Sequence, residues 1–456
     1  MMERAGLVSL CYYEEIKEAR TKPRDQSSFK GEITLLNSAI SNDTNRSVLL
    51  RGGTPIGFRD LEPGCNLLDV GIKGGYITEV GKSLDLTVYS RTVDIEGKYI
   101  SPGWIDLHTH VYDVSHLGLN PAIIGPSAGV TTLVDAGSAG EEMFHGFYKY
   151  VIEHSPFPIY AFLNIGSYAN LDYGHVNIKM LETMQCVNRY HHVIKGIKIM
   201  ASRAYLRDFG LHPLRAAKRL AIDLDLPLMV HIGEPPPFLE EIVDLLGAGD
   251  IITHCYHGKI GNSVRYAQKR VLALYRAAVD KGVLLDVAHG ESSFSVESAR
   301  LAIAQGLKPF SISTDLHGAN IDGPVWSLAA VMSKMLACGL SLEEVVRMVT
   351  LNPGRVVASS EYGVLQEGAP VNITVFDVEE GRFEFSDSGA PDDMTSGGDP
   401  SHQTRFTGTR FVRPFYVIVG DHESESIPRG IKDNREKSAL LNRANIHGLW
   451  LTTSKL

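Results

Sequence analysis

Residues 101–110 read SPGWIDLHTH. An apolar run, Trp104 to Leu107, ends in two histidines two positions apart. Side chains two apart on a strand share a face, so His108 and His110 can enter one site together. Pro102 and Gly103 punctuate the start of the run, as turn residues do before a strand. Seven further runs of this kind follow: GVTTLVDAG (129–137), PIYAFLNIG (158–166), VIKGIKIMA (193–201), LPLMVHIGE (226–234), DIITHCYHG (250–258), GVLLDVAHG (282–290) and PFSISTDLHG (309–318). Helix-like stretches separate several of them, among them HPLRAAKRLAIDLD (212–225), VRYAQKRVLALYRAAVDKG (264–282) and SVESARLAIAQGL (295–307). Eight strands alternating with helices over about 250 residues match an α/β fold of the (β/α)8 TIM barrel type. The rival, a doubly wound open sheet, calls for a Gly-rich fingerprint at its first βα turn, where this chain has His-Thr-His.

Outside residues 104–358 the texture changes. SVLLRGG, NLLDVGIKGGYITEVG and RTVDIEGKYISPG are short β-rich runs broken by Gly and Pro. After the helix–turn–helix text SLEEVVRMVTLNPGRVVA, β texture returns in GVLQEGAPVNITVFD. These flanks, 46–103 and 359–420, predict a small composite β-sandwich domain. EFSDSGAPDDMTSGGDPSHQTRFTG reads as a loop, followed by one strand, RPFYVIVGD. Residues 1–45 read as a loosely ordered extension with a short helix around Tyr12–Arg20, and 421–456 as an unassigned polar tail.

Composition bounds the setting. The chain has 456 residues, 44 Lys+Arg against 53 Asp+Glu, and a formal net charge of −9. A mildly acidic chain does not offer the basic face that nucleic acid needs. No run of about 18 apolar residues is present, so no membrane helix is expected. The five cysteines are scattered and never paired as C-x-x-C, which argues against a disulfide scaffold or zinc ribbon. A cytosolic protein acting on a small molecule, with a homo-oligomer open, is the expectation.

Of 17 histidines, 14 lie between His108 and His317. Position selects among them. His231 ends LPLMVH, His254 ends IITH, and Asp315 ends SISTD. Four imidazoles and one carboxylate at one rim point to a metal site. Nitrogen and oxygen donors without thiolate suit zinc, with manganese, iron or nickel as alternatives. Lys198 ends the fourth strand; Lys195, three earlier, faces the other side. A desolvated lysine near cations is shifted toward the neutral amine, which can take up CO2 to become a carbamate able to bridge two ions. His289, Arg203 and Tyr256 are candidates for substrate contact, with Arg203 suited to a carboxylate. Each also has a structural or solvent-facing alternative.

The set SPGWIDLHTH, GIKIMAS, VHIGE, THCYHG and STD resembles the amidohydrolase superfamily of metal-dependent hydrolases. HIGEPPP, DVAHGESSF and STDLHG are similar to its amidohydrolase/deacetylase branch, related to dihydroorotases. The resemblance covers about Val48 to Asp377. It implies that His108 and His110 bind the more buried of two zinc ions, and His231 and His254 the second. Carboxylated Lys198 would bridge them, with Lys195 the alternative on the strand pattern. Asp315 would bind the first ion and act as general base. The implied activity is hydrolysis of a carbon–nitrogen bond other than a peptide bond by a metal-bridged hydroxide. Deacetylation of a small N-acyl or acylated acid is the main expectation. The alternatives are a cyclic amidase of the dihydroorotase or hydantoinase type, a deaminase, against which the GIK motif tilts, and a scaffold that has lost its metals.

Overall fold

The structure, a computed structural model, describes residues 47–60, 67–115, 117–166, 178–357, 362–389, 401 and 403–426. The expectations for residues 1–45 and for the tail beyond 426 lie outside the described residues.

Seven strands form one parallel sheet in chain order: β6 (Trp104–Thr109), β7 (Val130–Gly140), β8 (Ile159–Asn164), β9 (Ile194–Ala201), β10 (Leu228–Ile232), β11 (Ile251–Thr253) and β12 (Leu284–Asp286). Their residues alternate between two apolar environments. On β10, Leu228, Val230 and Ile232 pack in the large cluster shared with the helices. Met229 packs instead with Ile105, Val134, Phe162 and Ile251 on the other face of the sheet. Burial on both faces explains why these strands read as unbroken apolar runs. The helix His212–Asp223 shows the complementary pattern, burying Leu214, Ala217, Leu220 and Ala221 at three- and four-residue spacing.

The eighth expected strand, PFSISTD, is tied to the sheet only by isolated bridges. Ser311 pairs with Asp286 of β12, and Leu316 pairs with Thr109 of β6, both in parallel. Backbone bonds run on both sides, from Val287 N to Ser311 O and from Asp315 N to His108 O. The segment therefore bridges the two edge strands of a curled sheet, consistent with a (β/α)8 barrel. Positive φ at Asp315 (55°) and Ala288 (38°) interrupts regular pairing at its end.

The flanks build a second sheet. It contains β1 (Ser47–Pro55), β2 (Leu68–Lys73), β3 (Tyr76–Gly81), β4 (Arg91–Asp94), β5 (Tyr99–Pro102), β13 (Asn372–Ser386), β14 (Arg405–Val419) and β15 (His422–Glu425). The first half of β1 pairs with β2 and β4, and its last residues pair with β5. β13 joins the N-terminal flank through β5, with Ile373 opposite Pro102 and Val375 opposite Ile100. Val48, Leu50, Val70, Ile100, Ile373 and Ile418 share one core.

One reading is corrected here. EFS and RFTG are strand, not loop: β13 runs on to Ser386, β14 begins at Arg405, and the two pair from Asn372–Val419 to Ser386–Arg405. Phe385, Phe406 and Phe411 of this ribbon sit in the large core beside the helix Leu328–Ala337, and Val412 N donates to Ser333 Oγ of that helix. Phe383 and Phe385, two apart, and Phe406 among alternating polar residues were the available signal. The Gly/Ser/Asp-rich text between the two arms obscured it.

Candidate metal centre

β6 delivers His108 and His110 to one point. Their Nε2 atoms stand 3.4 Å and 3.0 Å from the same oxygen, Asp315 Oδ1. His108, His110 and Asp315 offer ligand atoms that all lie within 4.8 Å of one another. Lys198 reaches in from β9, with Nζ 3.2 Å from His108 Nε2. Its pairing partner on β10 is Met229, which lines the same face. Lys195 points elsewhere, its ammonium 4.8 Å from the Tyr160 ring centroid. From β10 and the end of β11 come His231 and His254, with ring centroids 4.4 Å apart; His254 is 5.1 Å from His108. The structure therefore brings all six strand-end residues together.

The surrounding hydrogen bonds fix which ring nitrogens are bare. Thr253 Oγ1 donates to Asp286 Oδ2 at 2.8 Å, so it accepts from His108 Nδ1, also at 2.8 Å. That leaves the lone pair of His108 on Nε2, facing Lys198 and Asp315. His254 Nδ1 donates to the Ala288 carbonyl at 2.8 Å, which leaves its Nε2 bare as well. His231 Nε2 is buried without any hydrogen-bond partner. Bare imidazole nitrogens beside an anionic oxygen repel one another unless a cation lies among them. An orphaned buried nitrogen is costly unless something binds it. The donor set and these orphans fit a divalent metal, and the anchored outer nitrogens are how metal-binding imidazoles are held.

Electrostatics agree. Burial pushes the Lys198 amine down to about 8, against the pull of the Asp315, Asp286 and Asp135 carboxylates. Burial, followed by neighbouring charges, holds His231 and His254 well below the usual imidazole range, so both are neutral. For Asp315 burial works upward, but the imidazoles of His108, His110 and His254 crowded around it outweigh that and hold the carboxyl well below its usual range.

Two local features make room and store strain. Gly137 has φ +97°, and a Cβ there would lie 2.8 Å from Lys198 Cγ. Only glycine lets β7 pass so close to the lysine stem. His254 has φ 68° and Asp315 φ 55°, a conformation that L-residues rarely adopt and that clusters at functional sites.

The substrate-contact candidates part company. Tyr256 is corrected: it is fully buried, and its hydroxyl donates to the Leu307 carbonyl at 2.7 Å. The kink at His254 ends the strand, and Tyr256 turns into the core. His289 is buried with both ring nitrogens engaged: Nδ1 lies 3.1 Å from Ser388 Oγ, and Nε2 lies 2.8 Å from Lys334 Nζ. Arg203 is exposed on the short helix that follows β9.

Three residues that strand-end reasoning missed support the site. Asp286 accepts from Thr253, Ser311 and Ser313. Asp135 Oδ1 accepts the Ser138 amide at 2.7 Å, and Ser138 Oγ lies 2.9 Å from His110 Nδ1. Asp106 accepts from Thr314, and burial pushes it up to about 7. Each is an acid interrupting an apolar strand, in WIDLH, LVDAG and LLDVAHG, and that was the legible signal.

Comparison with known proteins places this geometry. The chain is 37% identical over 405 residues to a protein of Brucella anthropi named deacetylase, covering 86% of this chain and 97% of that one. It is 38% identical over 397 residues to a deacetylase of Agrobacterium fabrum, covering 84% and 94%. A crystal structure described as a dihydroorotase superposes with a TM-score of 0.75 at 35% identity, covering 85% of this chain and 100% of that one. The sequence model of the amidohydrolase family matches residues 99–409, and the chain belongs to that family.

Proposed function

We propose that the protein is a metal-dependent hydrolase that removes the acyl group from a small N-acyl or acylated acid. The observation that carries this reading is the convergence of His108, His110, Lys198, His231, His254 and Asp315, with the bare nitrogens turned inward. Two relatives named deacetylase, matched over most of their length, support the deacylating direction.

His108, His110 and Asp315 would hold one ion and His231 and His254 a second, with Lys198, as a carbamate, between them. Zinc suits the donor set best. A divalent ion bound there polarises the acyl carbonyl and lowers the pKa of water. The chain's own part is proton handling and alignment. Asp315, held ionised, accepts the proton of the attacking water and returns it to the leaving nitrogen. Thr253, Asp286 and Ala288 fix the rings of His108 and His254 throughout.

The same reading takes residues 104–358 as a closed (β/α)8 barrel, with 46–103 and 359–420 as a composite β-sandwich around one shared core. It places the enzyme in the cytoplasm. A cyclic amidase is the second reading, favoured by the likeness to the structure described as a dihydroorotase.

A screen of N-acetyl and N-formyl amino and hydroxy acids, with dihydroorotate and hydantoins, tests both readings. Metal content is measured on the same sample. Turnover of acyclic acyl acids is expected. Turnover of the cyclic compounds alone selects the second reading. A metal-free protein inactive on all of them returns the scaffold.

A further inference from the structure

We infer that Lys259 and Ser202 form a carboxylate-binding subsite beside the metal centre, which makes the free acid of the substrate its recognition handle. The inference rests on the deacylase reading and names what that substrate must carry.

The two residues come from neighbouring rim loops. Ser202 follows β9, which supplies Lys198. Lys259 follows β11, the strand that leads into His254. Gly233 and Glu234 lie between them, just after His231 on β10.

Among the described residues, each of the two is a hydrogen-bond donor without an acceptor. The Lys259 side chain is 10% exposed, and its ammonium meets Glu234 Oε1 at 3.6 Å. That distance is too long for a direct hydrogen bond. Ser202 Oγ is buried without a partner. His257 is anchored on both sides instead: Nδ1 accepts the Lys259 backbone N–H at 3.1 Å, and the ring also bonds the Asn262 backbone. An ammonium and a hydroxyl are donors that two carboxylate oxygens can share.

Glycine at 233 lets the two side chains approach. A Cβ there would lie 2.9 Å from Ser202 Cβ, 3.5 Å from Ser202 Oγ and 3.7 Å from Lys259 Nζ, so both groups flank the same point. The loop is held in place. Asn262 Nδ2 donates to the Gly233 carbonyl at 3.1 Å, and the Arg203 amide donates to Glu234 O at 2.9 Å. Glu234 and Glu291 are the acidic groups in range of Lys259. The 3.6 Å separation from Glu234 leaves the ammonium donors free for a ligand. Arg203, the sequence candidate for this role, is exposed instead.

Calorimetric titration of the metal-loaded protein with lactate and with lactamide tests the subsite without relying on turnover. Wild type is expected to bind the carboxylate roughly tenfold or more tighter than the amide. Lys259→Met is expected to remove most of that preference, whereas a preference arising at the metal would survive the change. Ser202→Ala, which leaves the buried charge in place, should weaken lactate alone by several-fold and serves if Lys259→Met does not fold. Equal binding of the two compounds by wild type, or an undiminished preference in both variants, overturns the subsite.

The kinetic arm uses an N-acetyl amino acid and its methyl ester. Equal kcat/KM for the two leaves the deacylase reading standing and sinks the subsite. Absence of turnover with a Lys259-dependent lactate preference does the reverse.

Discussion

Lys198 Nζ stands 3.2 Å from His108 Nε2, joining β9 to β6 across 90 residues of sequence. Burial away from water disfavours the ammonium and pushes the lysine down to about 8. The pair is arranged for a neutral amine and for a cation nearby.

On the proposed reading, replacing Lys198 by Met would remove a ligand rather than a structural charge. Metal content should fall below that of wild type, and kcat/KM should fall by several kcal/mol of transition-state stabilisation, about a thousandfold. Elemental analysis and steady-state kinetics on one preparation check this. Full metal content with near-normal turnover would remove Lys198 from the site.

Asp315→Asn keeps the shape of the side chain and an oxygen facing His108 and His110, but would lose the base of the proposed mechanism. Turnover should drop by roughly 10²–10⁴-fold with metal retained. A near-normal rate would mean that another group takes the proton.

Gly137→Ala tests the close passage of β7 over Lys198. At φ +97°, with Lys198 Cγ 2.8 Å from the new methyl group, the variant should lose more than about 1 kcal/mol of stability. It should also lose activity by displacing the lysine. Urea unfolding and kcat measured together read both effects.

Lys334 gives a pH signature away from the metal. It is 1% exposed, donates to the Pro324 carbonyl at 2.7 Å and lies 2.8 Å from His289 Nε2; burial pushes it from 10.5 down to about 7. Between those values the unfolded chain binds the proton and the folded chain does not, so the lysine's contribution to stability rises with pH. Below about 7 the penalty for a buried ammonium is fully present. The stability difference, wild type minus Lys334→Met, should therefore grow from pH 7 to 10 with a slope of up to roughly 1.4 kcal/mol per unit. Parallel stability curves for the two proteins would refute the assignment.

Much of this was legible in the chain. A strand buried on both faces is mainly apolar, so a His, Lys or Asp at its end stands out. His108, His110, Lys198, His231, His254 and Asp315 stood out on that ground, and the family resemblance supplied their roles and the preference for Lys198 over Lys195. Parity on a regular strand also separates Lys198 from Lys195, and the structure keeps them apart.

What failed lay beyond the regular strands. Alternation holds only while the backbone is extended, and the φ of 68° at His254 ends it. Tyr256 therefore turns into the core, and no periodicity rule predicts that. Asp286 and Thr253 act through partners on other strands, and Lys259 sits in a loop where no period exists. The sequence by itself determined which elements form and which polar groups end them, because local burial patterns are written in consecutive residues. Only the tertiary structure decided which ring nitrogens are bare, which lysine stem fits past Gly137, and which donors are left without acceptors. Those depend on groups tens to hundreds of residues apart meeting within about 3 Å, the range at which hydrogen bonds act.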